Sequence, residues 1–151
     1  MYEFLHYRVS DAMTRDPVTI SQDTTLGELE AIFARNDFNG VPVVDHTGRL
    51  EGVATKLDIL RAFSFTTAAK IPHYEEIVTR PVAEVMTREP ITVPPELPLT
   101  RVLDKMVETR NKSFPVATDG VVTGVIARED LLWALRRATT GQGPEAAGDE
   151  R

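Results

Sequence analysis

The sequence predicts an α/β protein built from two β-α-β-β-α repeats related by an approximate twofold axis. The first observation behind this is that the chain aligns with itself: residues 9–46 fall on 82–119 at an offset of 73, which one deletion then resets to 72. VSDAMTRDPVTI (9–20) lies over VAEVMTREPITV (82–93), and VPVVDHTGRLEGVATKLDIL (41–60) over FPVATDGVVTGVIAREDLL (114–132). Identities include Val9/Val82, Met13/Met86, Thr14/Thr87, Pro17/Pro90, Thr19/Thr92, Pro42/Pro115, Gly52/Gly124 and Asp58/Asp130. A unit of this length buries too little apolar surface alone, so the two copies are expected to depend on one another. The second observation is that the same order of elements is legible in each copy. The third is composition: 151 residues, 42% apolar and 26% charged, is that of an ordinary globular chain with a shared core.

Taken in order, Val18-Thr19-Ile20 alternates as a short strand. Thr25-Leu26-Gly27-Glu28 has the capping-box spacing that opens a helix, whose apolar face is Leu26, Leu29, Ile32 and Phe33. That helix is expected to end between Asn36 and Gly40, where Asn and Gly tolerate positive φ. Val41–Val44, the turn Asp45-His46-Thr47-Gly48 and Leu50–Thr55 read as a hairpin, and a last helix covers 57–63. The second copy repeats this, with Leu99, Val102, Leu103, Met106 and Val107 on its first helix and Asp119-Gly120 at its turn. The first motif thus runs 9–63 and the second 82–138. Residues 64–81 connect them, a partly helical stretch that Pro72 and Pro81 interrupt, and 1–8 form a short aromatic-bearing helix expected to pack across the two units. Residues 139–151 are expected to be a disordered tail, because 141–151 (GQGPEAAGDER) has glycine, proline and charge without apolar periodicity.

Several function classes fall away on composition. Seventeen Lys and Arg against 23 Asp and Glu give a net charge of −6, which disfavours nucleic acid and anionic membrane as partners. No run approaches the roughly 18 apolar residues of a membrane span, and the N-terminus lacks a basic region followed by an apolar stretch, so a cytoplasmic protein is expected. Zero cysteines exclude disulfides, thiolate nucleophiles and zinc–cysteine or iron–sulfur sites. His6, His46 and His73 have no ligand spacing, and no GxSxG, GxGxxG or Walker loop occurs, so neither a metal site nor a catalytic constellation is expected.

The chemistry concentrates in Gly52-Val53-Ala54-Thr55-Lys56-Leu57-Asp58. Gly52 allows close backbone approach, and Thr55 and Lys56 open a helix whose free N–H groups and dipole favour an anion, which makes them candidate phosphate contacts. One turn on, the Asp58 carboxylate can accept hydrogen bonds from both hydroxyls of a ribose. The same Thr55-x-x-Asp58 spacing is equally a plain helix capping box. The second copy, Gly124-Val125-Ile126-Ala127-Arg128-Glu129-Asp130, has Ala127 where the cap hydroxyl would stand, so Asp130 is not half of a reciprocal box and is better explained as a functional carboxylate. Arg128 either replaces the lost hydroxyl as a charged fork on phosphate oxygens or is a solvated helix-start residue.

The doubled string MTxxPxT, an apolar-Pro-Val step, a glycine hairpin and Gly-x-x-[Ser/Thr]-x-x-Asp resembles a tandem pair of cystathionine-β-synthase (CBS) domains over residues 9–137, with Ala127 departing from the usual Ser/Thr. The resemblance implies a pseudo-twofold pair that dimerises into a disk, binds adenosine-containing ligands (AMP, ADP, ATP or a related adenosyl compound) in clefts between the repeats, and senses rather than catalyses, with no other cofactor. It further implies that the Thr55/Lys56/Asp58 site draws on Thr92, Lys112, Ser113, Phe114 and Pro115, and the Arg128/Asp130 site on Thr19, Asn39, Gly40, Val41 and Pro42. Each has a plainer reading: strand threonines for β-propensity, prolines guarding sheet edges, and Lys112 as a solvated surface lysine. The expected function is a regulatory module that acts through an unidentified protein target, the Asp58 site being the tighter. The alternative is a ligand-free dimerisation scaffold. Dimerisation is expected through the apolar helix faces of Leu26, Leu29, Ile32 and Phe33 and of Leu99, Val102, Leu103 and Met106.

Overall fold

The computed structural model describes residues 2–64 and 73–144. The chain divides into two compact units that do not begin where the repeats begin: Val18–Pro90 forms one, and Met1–Pro17 with Ile91–Arg151 forms the other. The first nine residues of each repeat therefore belong to the unit that holds the other repeat's hairpin.

In the Val18–Pro90 unit the elements are α2 (Leu26–Arg35), β2 (Gly40–Val44), β3 (Leu50–Thr55), α3 (Lys56–Ser64), α4 (Tyr74–Val78) and β4 (Thr87–Arg88). The strand expected at Val18–Ile20 contracts to a single parallel bridge, Ile20 on Val43, held by Ile20 N–H to Pro42 O at 3.0 Å and Val44 N–H to Ile20 O at 2.8 Å. The capping box of α2 forms as its spacing predicts: the Glu28 N–H donates to Thr25 Oγ1 and the Thr25 N–H to Glu28 Oε2, each at 3.2 Å. Its end differs, because Asn36 is extended at φ −137° and its side-chain amide donates to Ile32 O at 2.9 Å, so no positive φ is used there. β2 and β3 pair antiparallel with Gly40 opposite Thr55 and Val43 opposite Gly52. In their turn Asp45 Oδ1 accepts from the Thr47 N–H at 2.8 Å and hydroxyl at 2.6 Å, and these bonds hold the Asp45 carboxyl below its usual range.

The other unit is built alike from α1 (Val9–Ala12), β1 (Thr14–Arg15), α5 (Leu99–Thr109), β5 (Ser113–Thr118), β6 (Val121–Ala127) and α6 (Arg128–Thr139). Among the described residues its sheet has the order β1-β6-β5, matching β4-β3-β2 in the first unit. Residues 2–6 form a 3-10 turn that packs on α5 and α6, so the N-terminal segment belongs to this unit instead of lying across both. Tyr7 anchors it: fully buried, it meets Trp133 edge-on and its hydroxyl donates to Gln142 O at 3.2 Å. That contact also corrects the expected tail. Thr139 still belongs to α6, and the Gln142 N–H donates to Arg137 O at 3.0 Å, while 145–151 lie outside the described residues, as do 65–72 of the connecting segment.

The short strands β1 and β4 were not legible in the sequence, and they explain several repeated identities. β4 pairs with β3 (Gly52 opposite Arg88) and β1 with β6 (Gly124 opposite Arg15). A Cβ on Gly52 would stand 2.7 Å from Thr87 O and 2.9 Å from Met86 Sδ; on Gly124 it would stand 2.8 Å from both Thr14 O and Met13 Sδ. Gly52 is glycine because a strand and a methionine lie on it, which replaces the expectation that it admits a ligand to the backbone. Beyond each short strand comes a non-glycine residue in the left-handed region, Asp16 at φ 47° and Glu89 at φ 50°, then Pro17 or Pro90, where the chain passes to the other unit.

The helix faces expected to dimerise are interior. Leu26, Leu29, Leu99, Val102 and Met106 are buried in their own units, and Ile32, Phe33 and Leu103 pack against those cores. The large apolar side chains left exposed on helices include Leu57 and Leu60 on α3, Val107 on α5 and Leu132 on α6. Gly52→Ala and Gly124→Ala are expected to destabilise the protein by about 1–3 kcal/mol each, as overpacking against backbone does. Chemical denaturation checks this; an unchanged midpoint would mean that the short strands do not dock there.

Candidate functional site

β3 runs into α3 with no intervening loop, so Thr55 ends the strand and Lys56 begins the helix. The first turn of α3 thus starts beside Thr55, at the positive end of the helix dipole. Asp58, only 1% exposed, closes the junction. Its Oδ2 accepts from the Thr55 N–H at 2.8 Å and the Thr55 hydroxyl at 2.9 Å, while Thr55 Oγ1 accepts from the Asp58 N–H at 3.2 Å. The capping-box reading is thus correct. It leaves Oδ1 facing a different neighbour, the Arg61 guanidinium at 3.3 Å. Lys56, expected on phosphate, holds its ammonium 5.8 Å from the Phe33 ring centroid, in a cation–π contact with α2.

The same junction recurs at β6 and α6. The Ala127 N–H donates to Asp130 Oδ2 at 2.8 Å, and Asp130 is buried. Asp130 is not half of a reciprocal box, as Ala127 implies, yet it caps its helix through the Ala127 N–H, a structural part beside the functional one expected of it. Arg128 is exposed on the first turn of α6, and its N–H donates to Lys112 O at 3.0 Å.

The remaining expected residues sort by unit. Thr19, Asn39, Gly40, Val41 and Pro42 share the Val18–Pro90 unit with Thr55, Lys56 and Asp58. Gly40 pairs directly with Thr55 and Val41 with Ala54, which sets Asn39 and Gly40 at the strand end beside the junction. Thr92, Lys112, Ser113, Phe114 and Pro115 share the other unit with Arg128 and Asp130, with Ser113 opposite Ala127 and Phe114 opposite Ile126. Val41 and Phe114, which occupy equivalent positions, are buried core residues. Pro42 and Pro115 are buried as well, each giving its carbonyl to a bridge residue, Ile20 or Val93. Thr19, Thr92 and Lys112 are exposed. Sequence reasoning missed Arg61, although its spacing of three residues after Asp58 already put both on one helix face.

Among the described residues no three His, Asp or Glu side chains converge to hold a metal ion, and no helix is long and apolar enough to cross a membrane. An open groove of about 650 Å³ in the Val18–Pro90 unit is lined by Thr19, Ser21, Gln22, Glu28, His46 and Glu51, with other residues between. Thr55, Lys56 and Asp58 are not among its lining residues.

A repeated strand-to-helix junction closed by a buried aspartate matches a known domain: the CBS domain family model covers residues 9–64 and 82–137. The chain belongs to the CBS domain family. It is 32% identical over 127 residues to inosine-5′-monophosphate dehydrogenase of Mycobacterium tuberculosis, covering 83% of this chain but 22% of the enzyme. The CBS-domain chain thus spans about a fifth of the length of that enzyme. Among solved structures it is similar to the CBS domain pair of protein MJ0100 in complex with 5′-methylthioadenosine and S-adenosyl-L-methionine, with a TM-score of 0.70 and 26% identity over 89% of this chain and 97% of that one. An uncharacterized conserved protein from Pyrococcus horikoshii matches with a TM-score of 0.71 and 28% identity, covering 88% and 95%.

The two junctions differ by one hydroxyl, which gives a stability test. Thr55→Ala is expected to cost about 1 kcal/mol, and Ala127→Thr to gain several tenths of a kcal/mol by rebuilding the missing cap. Urea denaturation of both variants checks the pair. A neutral Thr55→Ala would contradict the reciprocal cap.

Proposed function

We propose that this CBS pair is a regulatory module that binds adenosine-containing ligands, AMP, ADP, ATP or a related adenosyl compound, and signals by a conformational change to a protein target. The observation that carries the reading is the buried aspartate held at a helix N-terminus in both units: Asp58 and Asp130 each have one oxygen fixed by backbone N–H. A fixed carboxylate accepts hydrogen bonds from a vicinal diol without reorganising, and the adjacent N–H groups suit phosphate or another anion. The adenosyl compounds held by the MJ0100 pair support the same ligand class here. Thr19, Asn39, Gly40, Val41, Pro42, Thr92, Lys112, Ser113, Phe114, Pro115 and Arg128 are proposed as further contacts. Val41 and Phe114 contribute through backbone atoms, since their side chains are core. We assign the protein no catalytic role and place it in the cytoplasm.

A thermal-shift panel of adenosine, AMP, ADP, ATP and S-adenosylmethionine tests the reading. A ligand at 100 times its Kd adds about 2.7 kcal/mol, and no shift with any of the panel would refute it. The Asp58 site is expected to bind phosphate-bearing ligands one to two decades more tightly than the Asp130 site, the difference expected when a hydrogen bond involving a charged group is lost. Calorimetry on Asp58→Ala and Asp130→Ala measures that ranking, which equal losses would refute.

One observation favours the scaffold alternative, or a dimer in addition to binding. Leu60 and Leu132 occupy the same position in the two repeats and are 63% and 60% exposed. An interface that uses both repeats alike would cover them. The double variant Leu60→Glu, Leu132→Glu is expected to convert a dimer to a monomer in light scattering; an unchanged mass would exclude these helices from the interface.

A further inference from the structure

We propose that Arg61 is a counter-charge latch on Asp58, which a ligand's diol must displace from Oδ1 before the site can close on it. This rests on the nucleoside-binding reading above. Asp58 is 1% exposed and its two oxygens are used differently. Oδ2 is committed to the Thr55 N–H and hydroxyl at 2.8 and 2.9 Å, bonds that start α3 and cannot be given up without fraying the helix. Oδ1 is left as the acceptor for an incoming hydroxyl, and it is the atom that the Arg61 Nη1 occupies at 3.3 Å.

The geometry makes this contact the weak one. Charge-assisted N–H to carboxylate bonds run near 2.7–2.9 Å, so 3.3 Å from a single guanidinium nitrogen is a long monodentate pair. The Arg61 side chain is 56% exposed, and one turn of helix separates the partners, so the guanidinium can swing to solvent without disturbing the backbone. Left alone, the pair satisfies a carboxylate that is otherwise buried. A diol hydroxyl on Oδ1 performs the same service, and the two compete for one acceptor. The equivalent position in the second repeat is Trp133, so the second repeat has no arginine at this spacing from its aspartate.

Neutral adenosine separates this role from phosphate binding, because it offers the diol and no anion. Titration calorimetry of the full chain is expected to show adenosine binding up to roughly fivefold more tightly to Arg61→Met than to wild type, the range of an exposed ion pair removed from competition. Wild-type affinity for adenosine is expected to rise between about 0.01 M and about 1 M salt, over which the screening length falls from about 30 Å to about 3 Å, and Arg61→Met is expected to respond less. Arg61→Gln should behave as Arg61→Met does, which shows that the gain is not an apolar contact of the methionine. Equal or weaker adenosine binding by both variants, or identical salt dependence, overturns the latch. If neither wild type nor variant binds adenosine, the functional reading fails. The latch is then judged on the guanidinium NMR signal of Arg61, which Asp58→Asn must shift if the pair exists and leaves unmoved if it does not.

Discussion

The docking of a two-residue strand onto a glycine holds each unit together. At Gly52 and at Gly124 the approaching backbone carbonyl and methionine sulfur leave no room for a Cβ. Everything downstream is positioned from that contact. With one edge of β3 fixed by β4 and the other by β2, the strand can end only at Thr55, and the chain turns directly into α3 with Asp58 one turn inside it. β6, Ala127 and Asp130 follow the same course from Gly124. The left-handed Asp16 and Glu89 store about 1–3 kcal/mol of backbone strain each, which the fold sustains because the following proline must carry the chain out of the unit in one step.

Much of this was legible as periodicity and spacing. The hairpins, the α2 capping box and the last helix of each repeat are local structures encoded within a dozen residues, and they stand where their patterns put them. What the sequence hid was non-local. Thr14-Arg15 and Thr87-Arg88 are too short to show alternation, and their pairing partners lie in the other repeat, so Gly52 looked like ligand chemistry when it is packing, and Met13, Met86 and Gly124 stood only as repeated identities. Leu26, Leu29, Leu99 and Val102 looked like an unpartnered stripe for the related reason that α4 and the N-terminal segment, which help to cover them, carry no strong pattern of their own.

At the candidate site the sequence reading drew too sharp a line. Capping and ligand binding were weighed as alternatives for Asp58, yet one carboxylate has two oxygens, and the cap uses only Oδ2. Capping fixes the carboxylate in place, which is the rigidity that the proposed diol contact requires. Asp130 teaches the same lesson from the other side: losing the hydroxyl at Ala127 does not release the aspartate, because the backbone N–H is enough to hold it. The repeats have thus kept one geometry while diverging at Thr55/Ala127 and Arg61/Trp133, positions that tune the carboxylate's surroundings without moving it.

The central claim is that a pre-set, buried carboxylate reads the two hydroxyls of a nucleoside. Parallel calorimetric titrations with adenosine and 2′,3′-dideoxyadenosine test it most directly, since the ligands share the base and differ only in the diol. The account predicts that the dideoxy compound binds at least about tenfold more weakly, the loss expected when charge-assisted hydrogen bonds are removed. Equal affinities would contradict it and would mean that Asp58 and Asp130 serve only to start their helices.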